Sequence, residues 1–173
     1  MGDTDRLRLR PVGIDDEAEL LDAQEAMMAD DFVFALFHDP DVPFADYVGE
    51  RAKFAYGLDM PEGLVPDTFL LAVVGDTIVG RVSIRHALND FLAHEAGHIG
   101  YGVLPDHRRK GYATEILRQA LIIGRSLGIE TALLTCDDDN VGSATVIERG
   151  GGILRDLVTA SDGTTKRRYD IPL

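Results

Sequence analysis

Cysteine is all but missing from this chain: Cys136 is the only one among 173 residues. That excludes an internal disulfide and any metal site built on several thiolates. Long apolar runs are missing too, none approaching the ~18 residues a membrane-crossing helix needs. The opening residues, Met1-Gly-Asp-Thr-Asp-Arg6, lack the basic-then-apolar order of a secretion signal. A cytoplasmic protein is expected. Positive charge is scarce, with 17 Lys and Arg against 30 Asp and Glu and a formal net charge of -13. Nucleic-acid phosphates and anionic membranes reward the opposite balance, so neither is expected as a partner.

What is present, 45% hydrophobic and 27% charged residues, suits a single domain over residues 1–173 with a core of its own. The acidity is uneven. Twelve carboxylates and no Lys or Arg lie between Asp15 and Glu50. Such a stretch is either a solvated helical face or a field that draws a cationic ligand.

Hydrophobic periodicity alternates between strand and helix signals. Leu7 and Leu9 alternate with Arg6, Arg8 and Arg10, which predicts a strand over 6–12. Helices are predicted over 15–30 and 44–56, with an irregular stretch at 32–43 between them. Strands at 68–74 and 77–85 meet at the turn signal Gly75-Asp76. A strand at 99–104 is interrupted by Gly100 and Gly102, the mark of a bulge or a close approach to the backbone. A helix follows Pro105-Asp106, with Ile116, Leu117, Ala120 and Leu121 on its apolar face and Gly128 to end it. A strand at 130–136, a short helix at 140–149 and strands at 153–158 and 166–171 complete the order. This pattern predicts an α/β (α+β) domain on a single mixed, mostly antiparallel central sheet flanked by helices.

One island of positive charge stands out against the acidic background. Arg108, Arg109, Lys110, Gly111 and Tyr112 lie where a strand turns into a helix. Free backbone N–H groups and the positive end of the helix dipole favour an anion there. Gly111 lets a ligand come close to the main chain. Phosphate is the expected anion, although the spacings of the Walker loop and of the dinucleotide fingerprint are both absent.

Arg108-Arg109-Lys110-Gly111-Tyr112-Ala113 is similar to the Arg/Gln-x-x-Gly-x-Gly/Ala signature of the Gcn5-related N-acetyltransferases. The preceding Ile99-Gly-Tyr-Gly-Val-Leu-Pro105 resembles that family's central strand. Asn140-Val-Gly-Ser-Ala-Thr-Val-Ile-Glu-Arg-Gly150 resembles its second motif. The resemblance implies the family fold and transfer of an acetyl group from acetyl-CoA to a primary amine, by direct attack in a ternary complex. It also implies that Tyr101 and Val103 pair with the pantetheine, that residues 108–114 (Arg108, Arg109, Lys110, Gly111, Tyr112, Ala113, Thr114) hold the pyrophosphate, and that Asn140 and Ser143 complete the donor site. A backbone N–H near Val103 is the expected oxyanion donor. The acceptor is left open; a cation is what the acidic N-terminal third would attract, and a homodimer is compatible with such a domain.

The chain departs from the family where many relatives carry a general acid: seven residues after the motif Asn stands Ile147 instead of Tyr. Tyr169 is a candidate replacement. His98 and Glu95, before or within the central strand, are candidate bases. Loss of the tyrosine also admits an acetyl-CoA-binding sensor without catalysis. His94-Glu-Ala-Gly-His98 spells the His-Glu-x-x-His zinc motif, which requires a helix. Gly97, Gly100 and Pro105 oppose a sustained helix there, so no metal is expected and a zinc hydrolase is the remote alternative.

Overall fold

The computed structural model describes residues 6–173. The alternation of side chains along its strands decides which helices they meet. In β2 (Asp67–Val74), Phe69, Leu71 and Val73 are buried with Leu20, Ala23 and Met27 of α1 (Glu17–Met27) and with Phe44 and Tyr47 of α2 (Phe44–Ala55). Leu70 and Ala72, on the other face, are buried with Val82 and Ile84 of β3 (Thr77–Arg85) and with Ile116, Leu117 and Ala120 of α3 (Tyr112–Ser126). Ala144 and Ile147 of α4 (Val141–Arg149) join this second cluster. Period-2 burial thus separates the α1/α2 face from the α3/α4 face.

Antiparallel pairing links β1 (Arg8–Arg10) to β2, β2 to β3, and β3 to β4 (Ile99–Val103). A second set runs in the order β5 (Thr131–Asp137), β7 (Thr165–Pro172), β6 (Ile153–Thr159), again antiparallel. The single mixed sheet expected from the sequence is therefore divided in two, and the division falls between β4 and β5. No helix among the described residues is long and apolar enough to cross a membrane.

Local chemistry fixes the element ends that matter for the site. At the end of α3, Gly128 takes a φ of +85°. Its N–H donates to Arg125 O, and that of Ile129 to Gly124 O, which closes the last turn by two reverse bonds. At the start of α4, Asn140 Oδ1 accepts the Ser143 N–H at 3.0 Å.

Candidate active site

His98 is the last bridge before the two sheets part. Its N–H donates to Leu133 O at 2.7 Å, and its ring Nδ1 accepts the Leu133 N–H at 2.9 Å. Past this point β4 and β5 diverge. Leu104 N–H donates back to Val79 O on β3, and groups in an antiparallel ladder alternate in direction. The N–H and C=O groups of Tyr101 and Val103 consequently point away from β3, into the gap. Val103 O is used there by Arg108 Nε at 3.1 Å.

The entrance to α3 supplies donors to the same gap. Arg109 and Gly111 have φ values of +64° and +83°, left-handed conformations that turn successive N–H groups toward one side. From residue 109 to residue 114, no backbone N–H finds an acceptor among the described residues. Six consecutive free donors at the positive end of a helix make an anion cradle. A Cβ on Gly111 would meet nothing within 4 Å. The space in front of this backbone is open.

Tyr101, Val103, Arg108, Arg109, Gly111, Tyr112, Ala113, Thr114, Asn140 and Ser143 all line one cleft of about 1260 Å³. Lys110 does not; its Nζ turns back to Asp106 O at 3.1 Å. Arg108 lines the cleft as well, and its guanidinium engages Val103 O and pairs with Asp30 just beyond α1. Tyr101 reaches across to α4, its hydroxyl 3.2 Å from Ser143 Oγ. Burial pushes that phenol up to about 12, so it stays protonated.

The three residues expected to carry protons sit elsewhere. His98 has its Nδ1 committed to Leu133, and burial, with Arg85 nearby, lowers its pKa. Glu95 accepts the Ser161 N–H at 2.8 Å and the Ser161 hydroxyl at 3.1 Å, in the turn between β6 and β7. Tyr169 is fully buried and donates to Glu148 Oε1 at 3.0 Å. None of the three is among the cleft's lining residues. Ile147, in the place of the family tyrosine, is fully buried as well. In the zinc-like motif, His94 is directed to Thr159 O, Glu95 to Ser161 and His98 to Leu133, so the side chains do not converge.

Other cleft residues had no readable signal in the sequence. Met27 and Phe32 enter from the end of α1, Arg149 adds positive charge from α4, and Lys166 of β7 is paired with Asp137 of the same cleft. Phe32 covers β4 because Gly102 has no side chain: a Cβ there would lie 2.6 Å from the ring. Gly100 and Gly102 had suggested a close approach to the strand, but not the partner that makes it.

Solved structures share this architecture. Mycobacterium smegmatis RimJ in complex with CoA-disulfide superposes with a TM-score of 0.72 at 18% identity, over 98% of this chain and 83% of that one. A ribosomal-protein-S5-alanine acetyltransferase from Vibrio fischeri gives a TM-score of 0.71 at 12% identity, over 96% and 92%. Salmonella typhimurium yncA, with its cofactor acetyl-CoA, gives 0.63 at 14% identity, over 96% and 94%. No curated protein sequence matches the chain. The family model of the acetyltransferase (GNAT) domain matches residues 6–153, and the chain belongs to that family.

Proposed function

We propose that residues 1–173 act as one N-acetyltransferase domain that moves the acetyl group of acetyl-CoA to a primary amine by direct attack in a ternary complex. The observation that carries this reading is the row of six free amides at the start of α3, opening on the gap between β4 and β5. A diphosphate fits such a row, with Arg109 and Arg149 adding charge around the cleft. The outward N–H and C=O groups of β4 fit the amides of a pantetheine arm. Salmonella typhimurium yncA and Mycobacterium smegmatis RimJ, which share the fold, were solved with acetyl-CoA and CoA-disulfide.

Acetyl-CoA, when bound, supplies an activated thioester. The chain's own part is to hold both partners together, which accounts for a large share of such catalysis. The free N–H of Tyr101 or Val103 stabilises negative charge developing on a carbonyl oxygen in the gap. Tyr101 Oη is the proton donor facing the gap, in the absence of a tyrosine at position 147. His98 is a positioning residue, since its ring nitrogen holds β5 at the head of the split. Glu95 holds the β6–β7 turn through Ser161. Tyr169 packs in the core. Proton removal from the incoming ammonium falls to water in the cleft.

Titration calorimetry of acetyl-CoA, followed by a panel of primary amines assayed for CoA release, tests the assignment. Binding that is lost in Gly111→Val, with release stimulated by an amine, is the expected result. Binding without release by any amine would favour the sensor that the missing family tyrosine suggests. Absence of binding would remove the donor site.

A further inference from the structure

On β3, Arg81, Ser83 and Arg85 project from the α1/α2 face, opposite the face that α3 and α4 cover. Three guanidinium groups lie there beside one buried carboxylate, Asp67, which only Arg51 pairs with. Asp67 is paired with Arg51 and accepts the Ser83 hydroxyl at 2.9 Å. Arg51 and Arg81 are each only 4% exposed, and Arg51 Nε, Arg51 Nη1 and Arg81 Nε have no hydrogen-bond partner. The other Arg81 nitrogens donate to Gly100 O and Val33 O, with the Phe32 ring centred 4.2 Å from the guanidinium.

Arg85 differs from the other two in being less buried. It is part-buried, forms no ion pair among the described residues, and has a single 3.5 Å contact to Ala96 O. It rests on β4 where no side chain intervenes: a Cβ on Gly100 would lie 2.9 Å from its Nη1 and 3.3 Å from its Nη2. Gly100 precedes Tyr101, whose N–H opens into the gap. At ~3.3 Å per strand residue, the guanidinium lies within roughly 7 Å of that N–H along the strand.

We propose that Arg85, backed by Arg81, binds an oxyanion of the acceptor, so that the amine accepted by this protein also carries a carboxylate or phosphate a few bonds from its nitrogen. The proposal rests on the acetyl-transfer reading for the identity of the reacting amine, and on the arginines alone for the anion. An amine that enters the gap from the α1/α2 face would meet Arg85, the part-buried member of the three. Buried cations in excess of their carboxylates call for an anion, and the planar fork of Arg85 matches an oxyanion by two parallel bonds. A polycationic amine would meet like charge at close range in a low-dielectric wall, where solvent screening is weak.

The test is titration calorimetry on the full chain, with and without CoA. The probes are ω-amino carboxylates of one to five methylenes, their amides, aminoethyl phosphate and spermidine. At least one anion-bearing amine should bind about 10- to 100-fold more tightly than its neutral counterpart, the worth of a charge-assisted bond. Arg85→Met should erase that preference while circular dichroism and the thermal midpoint stay unchanged; Arg85→Lys should restore part of it. A preference for carboxylate or for phosphate identifies the group. Equal binding of acid and amide, a preference that survives Arg85→Met, tightest binding of spermidine, or no binding by any anion-bearing probe would overturn the proposal. CoA release assayed on the same probes keeps the two readings apart. An intact preference without any release leaves the anion subsite standing and removes acetyl transfer; release favouring neutral amines does the reverse.

Discussion

The two faces of β4 provide positive potential in different ways. On the α3/α4 face it comes from backbone N–H groups at the α3 entrance, which water satisfies when no ligand is present. On the α1/α2 face it comes from side chains: Arg51 and Arg81 are buried with some nitrogens unpaired, and Arg85 beside them is part-buried. Backbone donors depend on chain geometry and tolerate side-chain change. Buried guanidinium groups depend on their charge partners instead. The two sides of one strand should therefore respond to different kinds of substitution.

The largest effect is expected at a glycine of the hinge. Gly97 and Gly111 both have positive φ, +68° and +83°, so a side chain strains either one. Their surroundings differ: a Cβ on Gly97 would lie 2.3 Å from Leu133 O, whereas one on Gly111 would meet nothing within 4 Å. Gly97→Ala should cost about 3–5 kcal/mol, because the β4–β5 junction must shift as well as strain. Gly111→Ala should cost about 1–2 kcal/mol of stability, the left-handed penalty alone, yet weaken acetyl-CoA. Chemical denaturation beside calorimetry checks both. Equal stability losses would mean that the open backbone at Gly111 is not what distinguishes it.

The next effect concerns the proton donor in the gap. Tyr101→Phe should lower kcat about 10- to 100-fold and leave acetyl-CoA affinity within about threefold, since the ring stays and only the hydroxyl goes. Ile147→Tyr does not restore the family acid in this chain: Ile147 is fully buried, and its side chain is packed so closely that a Cβ on Gly152 would lie 2.5 Å from it. That variant should lose stability without gaining turnover. An unchanged kcat in Tyr101→Phe would move the proton donor elsewhere.

A smaller effect tests the bridge at the head of the split. Burial lowers the pKa of His98 below the ordinary histidine value, with Arg85 adding to the shift. The unfolded chain then binds the proton more readily, so the contribution of His98 is complete above about pH 6.5 and falls as pH drops toward the folded value. His86 is shifted the same way by burial and shares the slope. His98→Asn keeps an acceptor for the Leu133 N–H but does not titrate. The thermal midpoint of that variant should fall less steeply between pH 7 and pH 5 than that of the parent chain. His98→Leu leaves the Leu133 N–H without an acceptor and should cost about 1–3 kcal/mol at neutral pH. An identical pH slope in parent and His98→Asn would remove His98 as the titrating bridge.

Much of this architecture is legible in the sequence because the rules that carry it are local. The β2–β3 hairpin at Gly75-Asp76 and the glycine after α3 depend on residues a few positions apart, and the structure has both. The α3 entrance was readable for the same reason, since a helix start with a glycine is a short stretch of chain. Proton carriers were harder to assign. His98 and Glu95 have the right chemistry near the right strand, but their partners, Leu133 and Ser161, lie 35 and 66 residues away. Tyr101 was legible as a lining residue, whereas its reach to Ser143 depends on how α4 packs on β4. The arginine cluster was hidden completely. Arg51, Asp67, Arg81 and Arg85 read as ordinary polar positions, and Arg81 and Arg85 look like the solvent side of a strand. Only tertiary packing against the 32–37 segment buries Arg51 and Arg81.

The smallest effect separates the acidic exterior from the cationic interior. A cation-attracting field from the twelve carboxylates between Asp15 and Glu50 would act at long range, while the arginines act only at contact distance. The field outside is screened as the Debye length falls from ~10 Å at 0.1 M to ~3 Å at 1 M salt, and the buried groups are screened far less. A compact zwitterion carries no net charge into that field, so its kcat/KM should change by less than about twofold over this range. Aminoethyl phosphate, with net negative charge, should gain about two- to threefold as its repulsion from the acidic surface is screened. Spermidine should lose turnover steeply if the surface steers it at all. Steady-state rates for the three amines at matched pH check the signs. A steep fall for the zwitterion, parallel to that for spermidine, would mean that the acidic surface rather than Arg85 selects the acceptor, and the cationic reading of the N-terminal third would then hold.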